Sequence, residues 1–516
     1  MKNAVGREIP DELLVNDREV YQGKNYMDGK YLQKVAPRTI RREAPTESKI
    51  VKSIHDALVQ CNAHDGMTVS FHHHLRDGDY VVNLVMKEIV EMGLTDINIA
   101  ATSLGSAHNP IAEYIEQGIV TGIQTSGIRG KMGEVVSAGK LKTPAIIRSH
   151  GGRPRAIEAG EVKIDIAFVA APTSDCMGNS RGVGGKSDCG PLGYAMTDAK
   201  YADHVVVVTD TLVDFPNMPA SVEAIDVDAV VLVDAIGNPK KIASAAARMT
   251  ENPRELMMAE LVADVVAATP YFKDGFSFQT GAGGPSLAAT RFLEKHMVQN
   301  NIKMGWAIGG ITGSIVELQH KGLVGKIIDV QDFDLESVQD LSSNPNHIEM
   351  SASQYANPAN KGAFVNKLDF VVLAALEIDT KFNVNVLTGS DGVLRGAPGG
   401  HPDTAAGAKC CIIVTPLVRG RMATVCKDVV TVTTPGDCVD VLVTDYGIAV
   451  NPLRPDLAQY LDDAGIPHVT IESLQEKAYS LVGTPDDLVW EDKVVAILEA
   501  RDGTILDVVR KIIPVK

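Results

Sequence analysis

In the stretch "GVLRGAPGGHPDTAAGAK", Gly392, Gly396, Gly399 and Gly400 precede His401 and Asp403. Glycine lets a backbone approach a ligand where a side chain would stand in the way. The Gly-Lys-Ser/Thr ending of a phosphate loop is missing, and so is the dinucleotide spacing G-x-G-x-x-G. A second glycine cluster lies in "SFQTGAGGPSLAATRFLEKH". A strand is expected to end there, Gly281, Gly283 and Gly284 to make a tight turn, and a helix to start near Pro285. Proline suits the first helical position, and the free N–H groups at that end suit an anion or a thioester carbonyl. Either loop alone could be a turn needed only for packing. Two in one chain favour a ligand.

Cationic chemistry is concentrated elsewhere. From Arg129 to Arg155 the chain carries Arg129, Lys131, Lys140, Lys142, Arg148, Arg153 and Arg155 against one acid, Glu134. A solvated surface loop would look the same. In "RSHGGRPR", however, glycines beside arginines let N–H groups and guanidinium groups converge on an anion. Arg148, Arg153 and Arg155, with Arg395 from the opening stretch, are the expected substrate-binding cations. The whole chain has a net charge of −16, which argues against nucleic acid as its main partner.

His72, His73 and His74 invite a metal assignment. Adjacent strand residues point to opposite faces, so three in a row cannot converge. No H-E-x-x-H motif or C-x-x-C pair supports them, and no metal site is expected. A structural turn or a ligand loop remains open for these histidines. The cysteine count of seven, without paired spacing, reads as reduced thiols in a cytoplasmic compartment. No window is apolar enough for a membrane span, and the N-terminus lacks a signal peptide's apolar core.

At 516 residues the chain is too long for one core. Internal similarity shows how it is divided. "SLGSAHNPIAEYIEQGIV" from Ser103 matches "AIGGITGSIVELQHKGLV" from Ala307, and "KIDIAFVAAPT" from Lys163 matches "KLDFVVLAALE" from Lys367, each displaced by 204 residues. Two copies of one domain are expected. In each, a periodic helix leads to a short strand, a polar or glycine turn and another helix. These helices are "SKIVKSIHDALVQC" and "YVVNLVMKEIVEMG" in the first copy. In the second they are "RELMMAELVADVVAA" and "PSLAATRFLEKHM". Runs such as "IDIAFVAA", "HVVVVT", "FVVLAAL" and "CCIIVT" read as strands buried on both faces. The expected fold is α/β, with mainly parallel sheets covered by helices. An N-terminal arm over 1–44, outside any core, should precede domains over 45–250 and 251–516. Ligands in such sheets sit beyond the carboxyl ends of the strands, so the loops of both copies can share one site.

These blocks, together with "SIVELQHKGLVGK", "SFHHHLRDGD" and "VTTPGDCVDVLVTDYGIAV", resemble the coenzyme A transferase superfamily and, within it, the citrate lyase alpha-subunit family. The resemblance covers nearly the whole chain. It implies tandem coenzyme A transferase-like domains and a thioester held near Gly396, Gly399, Gly400, His401 and Asp403. It also implies a departure. Gly309 and Gly310 stand where most of the superfamily carries a nucleophilic glutamate, and no carboxylate follows until Glu317. With Gly309, Gly310 and His401 at the reacting centre, citrate's own carboxylate would attack an acetyl thioester directly. The implied activity moves an acyl-carrier thioester from acetate to citrate. The implied partners are an acyl carrier subunit bearing a phosphopantetheine-type group, a lyase (beta) subunit and further copies of this chain. No permanently bound cofactor is implied. The same chemistry on malonate, a sugar-phosphate isomerase and a non-catalytic scaffold remain open alternatives.

Overall fold

The computed structural model describes residues 1–15, 18–38, 48–242, 250–281 and 283–513. Its architecture repeats itself. Seven strands of the first sheet run in the order Ala229–Leu232, His204–Thr209, Ile166–Ala171, Thr68–Phe71, Ile97–Ala101, Val120–Thr125 and Ala145–Ile147. Seven strands of the second run Val441–Thr444, Cys410–Val414, Phe370–Ala374, Phe276–Thr280, Met304–Ile311, Val324–Asp332 and His347–Glu349. The two orders correspond strand for strand, and the pairings within both sets are parallel. The duplication in the sequence is therefore a duplication of topology.

The strands are those whose residues are apolar without alternation. Every residue of Ile166–Ala171 and of Cys410–Val414 is buried, as expected where helices cover both sheet faces. Val81–Glu91 forms a helix because Val81, Val82, Val85, Met86 and Ile89 share one buried face. Pro253–Ala268 starts where Asn252 accepts from the N–H of Arg254. "SKIVKSIHDALVQC" is only half helical. Ile50–Val51 pairs with Ala229–Leu232 as a strand, and the helix is confined to Ile54–Gln60 behind the Ser53 cap.

Two boundaries differ from expectation. Trp490–Glu499 pairs in parallel with Ala145–Ile147, and Ile505–Ile512 pairs antiparallel with it. The C-terminal hairpin thus extends the first sheet, although a single cut at 250/251 assigns it to the second domain. The arm is not outside the core either. Val20 bridges Ile505, the side chain of Asn3 donates to the Leu506 carbonyl at 2.7 Å, and Ile9, Val20 and Tyr21 are buried. The basic run following Arg38 and the 44/45 boundary lie outside the described residues. No helix among the described residues is long and apolar enough to cross a membrane.

Candidate active site

The carboxyl ends of strands from both sheets converge on a cavity of about 260 Å³. The first half supplies a cationic and aromatic wall. Thr68–Phe71 runs directly into His72–Arg76, so His73 and Arg76 reach the cavity one turn after the strand. Arg129 follows the end of Val120–Thr125, and His150 follows Ala145–Ile147. Tyr194 lies against both histidines, with ring centroids 4.8 Å from His73 and 4.6 Å from His150.

Electrostatics separates the roles of these groups. Burial, followed by the charges of Arg153 and Arg129, pushes His150 down to about 3. Burial also holds His73 well below the usual histidine range. Both imidazoles are neutral at working pH and present dipoles, not charges. Arg76 is lowered to about 10, mainly by burial and then by Arg129, and remains protonated at neutral pH. Its guanidinium lies 4.6 Å over the ring of Phe333, which crosses in from the second half. Arg76 and Arg129 therefore place two permanent positive charges on the wall. Asp77, the carboxylate among the described lining residues, sits beside them.

The second half supplies close backbone approach. Gly281, Gly310, Gly399 and Gly400 line the cavity together with His401. Gly399 has φ +55°, and its carbonyl accepts from the N–H of His150 at 2.8 Å, which fixes the two walls to each other. A β-carbon on Gly400 would lie 2.7 Å from the hydroxyl oxygen of Tyr355. That oxygen already accepts a hydrogen bond from Gln279 Nε2 at 2.8 Å, so the Tyr355 O–H proton remains to be donated. Gly309 and Gly310 occupy an irregularity in the pairing of Met304–Ile311 with Val324–Asp332. A β-carbon on Gly309 would run into the Gln279 side chain, and one on Gly310 into the Phe333 ring.

The expected substrate arginines are corrected by this geometry. Arg148 is buried in an ion pair with Glu499, with Nε 2.5 Å from the carboxylate. Arg153 clamps Asp198 with two 2.6 Å bonds, and Arg155 clamps Glu161 at 2.6 and 2.7 Å. Arg395 is exposed and pairs with Asp391 at 2.7 Å. None of the four lines the cavity. Burying a guanidinium favours a matched charge, and Arg148 and Arg153 are matched by acids distant in sequence, whereas Arg155 and Arg395 pair with near neighbours.

Four of the expected thioester residues are also placed differently. Asp403 is fully buried behind the cavity and accepts from Ser149 Oγ at 2.8 Å and from the N–H of Gly151 at 2.9 Å. Gly396 is where the loop passes tightly against the Val386 carbonyl. Gly283 caps the helix Gly284–Asn300 and, with Gly284, lies off the cavity lining. His401 has no nitrogen left for proton transfer. Nε2 lies 3.0 Å from the Ala374 carbonyl and Nδ1 2.7 Å from the Thr434 hydroxyl, and burial pushes the ring down to about 4.

Of the three adjacent histidines, His73 lines the cavity. His72 instead faces Asp198 at 3.0 Å, inside the first half. Arg129 was counted in the basic patch without being chosen as a substrate cation, and Arg76, His150, Tyr194, Gln279 and Tyr355 were not singled out from the sequence. Position relative to strand ends was the available signal for Arg76, Arg129, His150 and Gln279. Tyr194 and Tyr355 reach the cavity from connecting segments and carry no local pattern.

Comparison with known proteins gives a consistent result. The family described as citrate lyase, alpha subunit, matches residues 47–512. The citrate lyase alpha chain of Haemophilus influenzae is 51% identical over 495 residues, spanning 96% of this chain and 99% of that one. That of Escherichia coli is 52% identical over 474 residues, spanning 92% and 93%. A solved alpha subunit of citrate lyase from Streptococcus mutans, in complex with citrate, superposes with a TM-score of 0.96 at 51% identity. It covers 99% of this chain and all of its own. A malonate decarboxylase alpha subunit from Acinetobacter baumannii shares the fold, with a TM-score of 0.63 at 15% identity over 86% of this chain and 94% of its own.

Proposed function

The chain belongs to the citrate lyase alpha-subunit family, and from that premise we propose that it transfers an acyl-carrier thioester from acetate to citrate. The reaction converts an acetyl-carrier thioester and citrate into a citryl-carrier thioester and acetate. The observation that carries this reading is the composition of the cavity. Two guanidinium groups, Arg76 and Arg129, face a wall built from glycines.

The residues divide the work as follows. Arg76 and Arg129 receive two of citrate's carboxylates, because a multiply charged anion entering a cavity must exchange its hydration for fixed cations. Gly281, Gly310, Gly399 and Gly400 let the thioester lie against the backbone. Tyr355, held by Gln279, donates to the oxygen of the acetyl carbonyl as negative charge develops there. A citrate carboxylate oxygen attacks that carbonyl and the C–S bond breaks, giving a mixed acetic–citric anhydride and the carrier thiolate. The thiolate then attacks the citryl carbonyl, and acetate departs with the bridging oxygen. No proton is consumed in either step, which fits a wall of neutral histidines. Holding both reactants in one cavity can contribute about 7–11 kcal/mol of the barrier.

A glutamyl intermediate has no place in this scheme. A side chain at Gly309 or Gly310 would collide with Gln279 or Phe333. The carrier's phosphopantetheine-type group and a lyase subunit complete the cycle as partners. The test is incubation of the chain with acetyl-thioester carrier and either citrate or malonate, with acetate release as the readout. Release with citrate alone supports the reading. Release with malonate alone transfers it to the malonate alternative.

A further inference from the structure

Behind the cavity the strand Val324–Asp332 buries two carboxylates side by side. Asp329 and Asp332 are both fully shielded from solvent. With His347, their ligand atoms all lie within 4.8 Å of one another. Neither oxygen of Asp332 receives a well-formed hydrogen bond among the described residues, and its carboxyl lies beside the Asp329 carboxyl and the Ser337 hydroxyl. Burying an acid with no partner is costly enough that proteins neutralise it or match it with a cation.

His347 is oriented as a ligand would be. Its Nδ1 lies 2.9 Å from Asp340 Oδ2, and its Nε2 turns towards Asp329 Oδ2 at 3.4 Å. An imidazole whose outer nitrogen donates to a carboxylate has its inner lone pair fixed in direction, as metal-binding histidines commonly do. We propose that Asp329, Asp332 and His347 bind a divalent transition-metal ion of the zinc or manganese type. Two carboxylate oxygens and one imidazole nitrogen suit these ions better than a thiolate-seeking or purely oxygen-bound one.

The ion would tie two neighbouring strands of the second half at the place where they meet the first. The same strand carries Val330 and Gln331 to the cavity, and Gln331 Nε2 donates to the His73 carbonyl at 3.0 Å. The first-half segment at Gly190 closes over the site so tightly that a β-carbon there would collide with the Asp332 carboxylate. Two residues on, the N–H of Leu192 donates to Glu349 at 2.5 Å. Because the acids are enclosed, the ion would enter as the chain folds and resist later removal.

The test uses the full-length chain, produced in medium supplemented with zinc or manganese and dialysed against EDTA to strip surface ions. Elemental analysis should find about one zinc or manganese ion per chain. Asp332→Asn should lack it and unfold at lower temperature. If that variant fails to fold, His347→Gln serves in its place and should likewise lose the ion. Wild-type protein without stoichiometric metal overturns the proposal, as does a variant that retains the ion. A rise in the unfolding temperature of Asp332→Asn also overturns it, because the acids would then be sharing a proton that the new amide replaces.

Discussion

Asp403 Oδ1 accepts a hydrogen bond from Ser149 Oγ at 2.8 Å, joining the helix His401–Gly407 of the second half to the loop that carries His150 in the first. The second oxygen accepts from the N–H of Gly151 at 2.9 Å. Asp403 is therefore a positioning residue. It fixes the distance between the glycine wall and the imidazole wall without facing the cavity.

This placement sets a pH dependence. Burial raises the Asp403 carboxyl to about 6, against the opposing effects of Arg501, the Gly151 N–H and Ser149. A raised carboxyl holds its proton more tightly folded than unfolded. Its stabilising contribution is complete below the unfolded value near 4 and is lost as pH rises towards about 6. The loss amounts to about 3 kcal/mol. Denaturant unfolding of wild type and Asp403→Asn across this range should show wild type losing stability relative to the variant as pH rises. Parallel curves would mean that the carboxyl does not titrate there.

The cationic wall gives a sharper contrast. Arg129→Gln should raise the citrate KM, because losing one charge-assisted contact costs about 1.5–3 kcal/mol, or roughly 10–150-fold. Arg395→Gln removes an exposed charge already paired with Asp391, and should leave the citrate KM unchanged. Steady-state acetate release over a citrate titration compares the two. Equal effects, or an effect of Arg395→Gln alone, would move the citrate site away from the cavity.

Gly400→Val tests the close approach. Its β-carbon would press on the Tyr355 hydroxyl and displace the donor that Gln279 holds. Losing one such donor typically costs roughly 10²–10³ in rate. Thermal unfolding and acetate release on one preparation should show a folded protein with turnover reduced by that order. Full turnover in the folded variant would remove Tyr355 from the account.

The fold was legible where residues speak locally. Unalternating runs such as Ile166–Ala171 specify strands covered on both faces, and the 204-residue repeat gives the doubled topology. The C-terminal hairpin was not legible, because nothing in Trp490–Glu499 says which sheet edge it will complete. Among the residues that line the cavity, the glycines at 281, 310, 399 and 400 are legible in the sequence because tight backbone approach leaves a compositional trace. The arginines were misassigned for a physical reason. Local charge density counts Arg148, Arg153 and Arg155, but Glu499 and Asp198 arrive only with the fold, and Glu161 lies just past the counted segment. Arg76, beside a histidine run, and Arg129, at the edge of the basic segment, face the cavity because each follows a strand end.

The central claim is direct attack by citrate on the acetyl thioester, and oxygen labelling follows the attacking atom. Citrate carrying ¹⁸O in its carboxylates is mixed with acetyl-thioester carrier and excess enzyme for a single turnover, and the released acetate is analysed by mass spectrometry. Direct attack makes a citrate oxygen the bridge of the mixed anhydride, so acetate should leave with one ¹⁸O in the first turnover. Unlabelled acetate, with ¹⁸O appearing in a carboxylate of the protein, would mean an acyl-enzyme intermediate and would contradict the account.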